Sequence, residues 1–225
     1  MLTGGKVFSQ LESISKKDRV VALLKEAIVS GNMKPGDAIV ETKLAQQLGV
    51  GQPLVREALI ELEHQGFVQR LAYRGTYVTK LSREDIEQIF NLRIKLEAIA
   101  IEWAKANVQA EDLEALRHFV SLMMEAAKEQ DIAQFYKNYL AFHRKLWTLS
   151  GNRYLVETLE RVVAPLFAFF VMKTIKDHLS FEESATSHEK IIAALESLEA
   201  SSVREFLEQM LGGWRDDMLE KLLSE

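Results

Sequence analysis

From Ser82 to Glu225 the chain contains one proline, Pro165, and its apolar residues recur three and four positions apart. A stretch of that length without strand-like alternation buries its apolar faces by packing helix on helix, so most of the chain is expected to be an all-helical bundle. Helices are read over about 83–107, 110–129, 131–149, 152–178, 182–198 and 201–223. Breaks fall at Gly151-Asn152, at His178-Leu179-Ser180 and in the turn from Glu199 to Ser202. Ser82-Arg83-Glu84-Asp85 has capping-box spacing and opens the first of these helices. Pro165 lies inside the fourth, where a missing N–H and a bulky ring predict a kink or a split.

The first eighty residues are patterned differently. Residues 16–30 place Val20, Val21, Leu24, Ala27 and Ile28 on one helical face, and Gly31 ends that helix. A turn centred on Pro35-Gly36 follows. Residues 41–48 form a short helix with Leu44, Ala45 and Leu48 inward, closed by Gly49. A second helix runs from Leu54 to Gln65 with Val55, Leu59 and Leu62 buried, and Gly66 stops it. Phe67–Ala72 and Thr76–Lys80 read as strands joined by Tyr73-Arg74-Gly75. Helix, helix, four-residue turn, helix and hairpin make the layout of a winged helix-turn-helix. The fold class is therefore mainly α, with a winged helix-turn-helix over 10–80 and a helical domain over 82–225.

Charge divides along the same line. Residues 1–80 hold 11 Lys/Arg against 8 Asp/Glu, and the remainder 17 against 25. A basic front and an acidic back suit a nucleic-acid module joined to a domain that avoids phosphate. The absence of cysteine excludes disulfides, thiolate metal sites and cysteine nucleophiles, and suits a cytoplasmic location. The N-terminal MLTGGKVFSQ has no apolar core of a secretory signal. The most apolar run, Val162 to Met172, is too short to span a membrane, so no membrane partner is expected.

The stretch MKPGDAIVETKLAQQLGV, with LVREALIELEHQGFV and RGTYV after it, resembles the N-terminal domain of GntR-type bacterial transcription regulators. LRIKLEAIA (Leu92 to Ala100), FHRKLWTLSGN (Phe142 to Asn152) and HEKIIAAL (His188 to Leu195) resemble the FCD effector domain of the FadR branch. The resemblance implies a homodimer that binds double-stranded operator DNA, a short palindrome, and answers to a small-molecule effector. Such effectors are commonly carboxylates.

Where the family typically has Ser-Arg-Thr-Pro, this chain has Gly51-Gln52-Pro53-Leu54. Gly51 can cap without a side-chain oxygen, and Pro53 is tolerated in a first turn. Gln52 takes the place of a base-reading arginine, and an amide suits adenine where arginine suits guanine. Arg56 is retained and is the foremost DNA-contact candidate. Thr42 and Lys43, and Tyr73, Arg74 and Gly75 at the wing tip, are the others. The alternative for Arg56 is an ion pair with Glu57 or Glu61 on a solvated face.

Many FCD domains hold a divalent metal through an Asp four residues before a His and two further His residues. His143 and His188 match two of these positions, whereas Tyr139 and Met210 occupy the other two. With two imidazoles left, metal binding is disfavoured and no cofactor is expected; the alternative is a pair of buried, hydrogen-bonded core histidines, with the Tyr139 hydroxyl a candidate partner. Arg93, Tyr139, His143, His188 and Met210 are the effector-site candidates. Arg93 can meet a ligand carboxylate or pair internally with Glu97. Phe167, Phe169 and Phe170 read as core or dimer interface. Two competing functions are a helical interaction protein with weakened DNA binding and a metal-dependent enzyme using His143 and His188. The enzyme reading lacks H-E-x-x-H, G-x-S-x-G, P-loop and dinucleotide motifs.

Overall fold

The computed structural model describes residues 15–174 and 178–222. The first helix, α1 (Lys16–Val29), starts at Ser15, whose hydroxyl accepts the Asp18 N–H. Its buried Val20, Leu24 and Ile28 join the buried Val55, Ala58, Leu59 and Leu62 of α3 (Gln52–His64) in one apolar cluster. Between them lies α2 (Glu41–Leu48), ended by Gly49 in the left-handed region at φ 63°. The helix α3 begins two residues before the expected Leu54. Gly51 caps it through the backbone, and Pro53 sits in the first turn, where its missing N–H costs nothing.

Three strands complete the module: β1 (Ala38–Ile39), β2 (Val68–Leu71) and β3 (Gly75–Val78), in the order β1-β3-β2, all antiparallel. The two-residue β1 escapes sequence reading because it is too short to alternate. It pairs Ala38 with Tyr77 and Ile39 with Thr76. The hairpin strands are shorter than expected, although Gly75, read as a turn residue, already belongs to β3; Tyr73 turns the chain at φ 61°.

The helical domain comprises α4 (Arg83–Asn107), α5 (Ala110–Lys128), α6 (Ile132–Thr148), α7 (Arg153–Thr174), α8 (His178–Ser197) and α9 (Ala200–Leu222). Ser82 and Asp85 form the expected capping box: the Ser82 hydroxyl accepts the Asp85 N–H, and the Asp85 carboxylate accepts the Ser82 N–H. Two expectations change here. Pro165 does not split its helix, because α7 runs through it from Arg153 to Thr174. His178-Leu179-Ser180 is not a break but the start of α8, and residues 175–177 lie outside the described residues. The N-terminal MLTGGKVFSQ and residues 223–225 also lie outside them. Among the described residues no helix is long and apolar enough to cross a membrane.

The two parts are joined by a close contact. Gly66, just past α3, has φ 78°, and a Cβ there would lie 2.3 Å from the Ala164 carbonyl carbon and 2.5 Å from the Pro165 nitrogen of α7. Beside it, Tyr136 of α6 donates its hydroxyl to the Gln65 carbonyl at 3.1 Å and meets Phe67 edge to face. The Lys25 ammonium lies over both rings, and burial lowers its pKa.

Candidate nucleic-acid interface and buried polar network

At the start of α3 the side chains that would face a groove converge on one carboxylate. Gln52 donates through Nε2 to Glu41 Oε2 at 3.0 Å. Arg56 donates to the same oxygen through Nη2 at 2.8 Å and Nε at 3.2 Å. The Arg56 hydrogen bond first, then that of Gln52, holds the Glu41 carboxyl below the ordinary carboxylate range. The expected alternative for Arg56, pairing with Glu57 or Glu61, does not occur. Glu61 instead meets Lys17 and Gln65. Arg56 remains more than half exposed despite its partner. Thr42 and Lys43 on α2 are exposed, as are Tyr73, Arg74 and Gly75 at the hairpin tip. Glu41 was not singled out from the sequence. Its only signal is its place in the first turn of α2, where the helix dipole favours an anion.

Inside the helical domain, Arg93, Tyr139, His143 and His188 come together between α4, α6 and α8. Arg93 Nε donates to Glu97 Oε1 at 2.7 Å, both side chains fully buried, so the internal pair considered from the sequence is formed. The Arg93 guanidinium lies over the rings of Phe167, Phe90 and Trp214. The two histidines bond to each other, Nε2 to Nε2 at 3.1 Å, and not through the Tyr139 hydroxyl; the Tyr139 ring packs edge-on against both.

The proton positions follow from the partners. His188 Nδ1 lies 2.6 Å from the Ser184 carbonyl oxygen, which can only accept, so Nδ1 carries a proton. Burial lowers the His188 pKa to about 4 and that of His143 well below its usual value, so both rings are neutral. His188 Nε2 is then an acceptor, and His143 Nε2–H donates to it. That leaves the His143 Nδ1 lone pair bare, 3.8 Å from Glu97 Oε2. Among the described residues, four buried side-chain atoms have no hydrogen-bond partner: the acceptors His143 Nδ1 and Glu97 Oε2, and the donors Arg93 Nη2 and Trp147 Nε1.

Met210 is half-buried against the apolar core, and the α9 side chain that reaches His188 is Trp214, with ring centroids 5.4 Å apart. Trp147 and Trp214 carried no sequence signal beyond apolar periodicity. Phe167 packs in the large core and also against Tyr139 and His143, whereas Phe169 belongs to a separate small cluster with Phe90 and Leu166.

The FCD domain family matches residues 88–213, and the family of bacterial regulatory proteins, gntR family, matches residues 16–78. The chain belongs to the GntR family. This GntR-family protein is 32% identical over 140 residues to the HTH-type transcriptional regulator YdhC of Bacillus subtilis (strain 168), spanning 62% of either chain. It is 29% identical over 170 residues to a probable D-xylose utilization operon transcriptional repressor of Paenarthrobacter nicotinovorans, covering 76% of this chain and 74% of that one. The solved structure of E. coli McbR/YncC has the same fold, with a TM-score of 0.67 at 21% identity over 93% of this chain and 99% of that one. Relatives and fold are those of transcription regulators, not of enzymes.

Proposed function

We propose that this GntR-family regulator binds a short palindromic operator as a homodimer, and that a small polar molecule in the helical domain changes its affinity for DNA. The observation that carries the DNA reading is the exposed face at the start of α3: Arg56 and Gln52 are held side by side, with Thr42 and Lys43 exposed on α2 and the hairpin tip free. Phosphate contacts come from such exposed hydroxyl and cationic groups, and base edges are read by the amide and the guanidinium.

Dimerisation is assigned to α4. Ile89, Leu92, Leu96, Ile99 and Trp103 follow one another at steps of three and four, and Leu92 and Trp103 are 47% and 42% exposed. Such a stripe is self-complementary across a twofold axis and sets two reading helices for a palindrome.

The sensor reading rests on the four unpartnered atoms, since buried polar groups without partners cost roughly 1–3 kcal/mol each. They call for a molecule that both donates, to Glu97 and His143, and accepts, from Arg93 and Trp147. A simple carboxylate would add a second negative charge beside Glu97 with one guanidinium between them, so a hydroxylated or amphoteric molecule suits the site better. A divalent metal does not suit it. Two imidazoles remain of the family's four ligands, their Nε2 atoms already satisfy each other, and the free His143 Nδ1 and Glu97 Oε2 make only two donors, with the other Glu97 oxygen held by Arg93. The route to the DNA module is α6, which carries His143, Tyr139 and, less than a turn before Tyr139, the Tyr136 that bonds Gln65.

The test is an anisotropy titration of the full chain at several salt concentrations, using the duplex upstream of its own gene and a random duplex. Specific binding should exceed random binding by about a thousandfold or more. Equal affinities with equal salt slopes would overturn the DNA reading. Repeating the titration with hydroxylated and amphoteric metabolites checks the sensor, which fails if none shifts the affinity.

A further inference from the structure

Gln52 and Arg56 stand eleven and fifteen residues from Glu41, yet both donate to the same carboxylate oxygen. A carboxylate accepts and does not donate, so it fixes which end of the Gln52 amide turns inward: Nε2 faces Glu41 and the carbonyl oxygen faces away. The same carboxylate takes one edge of the Arg56 guanidinium, Nε and Nη2, and leaves Nη1 directed elsewhere. Arg70 adds to the arrangement, since its guanidinium lies 3.5 Å from the Arg56 carbonyl and pairs with Glu63. No other acidic side chain of the described residues pairs with Arg56.

We propose that Glu41 is a specificity-determining residue, a positioning acid that orients Gln52 and Arg56 as one reading unit and repels phosphate where the pair is not matched by bases. The inference rests on the operator-binding reading above. Its logic is that discrimination needs a repulsive element as well as an attractive one. A free arginine binds any phosphate, whereas one engaged by a carboxylate gives up less solvent and gains most where a base edge completes its remaining donors. A free amide can turn either end to a base, but one held through its nitrogen has a single orientation. The proposal couples the base preferences at the positions read by the two side chains, because both depend on one acid.

The experiment is a selection from a random duplex library on the full-length wild type and on Glu41→Gln, followed by salt titrations with the selected and random duplexes. With wild type, the library should yield a palindrome with defined bases in each half-site. With E41Q, base preference should relax together at the positions read by Gln52 and Arg56. Its affinity for random duplex should rise and its salt slope steepen by about one ion, while the selected-to-random ratio falls by about tenfold or more. Damage to α2 alone would lower both affinities together, so the opposite movement of the two separates orientation from folding. Thermal unfolding of E41Q matching that of wild type completes the control. An E41Q ratio equal to that of wild type, or parallel loss of both affinities, overturns the proposal for Glu41 and leaves the operator reading standing. A wild-type chain that enriches no sequence overturns the operator reading itself.

Discussion

Glu41 and Glu97 each hold an arginine, and the contrast between them is set by solvent. Glu41 is about a quarter exposed and its Arg56 more than half, so water competes and the guanidinium can trade partners. Glu97 and Arg93 are buried, with no water to offer in exchange. Breaking that pair by removing one member would leave an uncompensated buried charge, a loss of roughly 3–5 kcal/mol. The histidines obey the same accounting of donors and acceptors. Each imidazole of the pair uses Nε2 on the other, so a metal bound through either Nε2 would have to break that bond, and the only lone pair the pair leaves free is that of His143 Nδ1. Protein purified without chelator should therefore carry substoichiometric zinc, nickel and manganese by elemental analysis; one tightly held ion per chain would refute the donor argument. His143 and His188 were legible as candidates from the family resemblance, and Arg93 from its face of the helix. What they pair with was not, because Glu97 was one of two options for Arg93, and the bond between His143 and His188 joins two helices, α6 and α8, whose meeting no local pattern gives.

At the scale of elements, the contact that most restricts the molecule is the passage of α3 into β2 beneath α7. Gly66 was readable as a helix stop, because a left-handed residue after a helix favours glycine. Its second role was not readable: Ala164 and Pro165 lie almost a hundred residues away, and their backbone fills the space a side chain would need. Pro165 was placed correctly in its helix, and of the two effects expected of it the split does not occur, since α7 continues through it. Gly66→Ala is expected to destabilise the protein by about 2–4 kcal/mol, combining left-handed strain with overlap on backbone that cannot rotate away. Urea unfolding would measure it. A loss near the roughly 1 kcal/mol of left-handed strain alone would mean that α7 moves aside and the two parts are less tightly docked than the geometry indicates.

For the whole molecule, the stripe on α4 and the reading face on α3 have to act together if the operator is a palindrome. If α4 is the proposed seam, Leu92→Lys sets like charges against each other across it, and the chain should then sediment as a monomer. Operator affinity should fall by about a hundredfold, since the second half-site is no longer tethered to the first. A dimer that persists in L92K would put the seam on another surface.

The sequence by itself determined the local structure: periodicity, caps and glycine stops give nine helices among the described residues, within a few residues of where they lie, and the ordered motifs give the family. Those signals act over three or four residues, which is the range of helix geometry. Tertiary structure alone decided the two-residue β1, the Glu41 clamp on Gln52 and Arg56, the histidine pair 45 residues apart and the seat of Gly66 against α7. Each joins groups distant in the chain, where donors, acceptors and volume are matched only once the helices have packed.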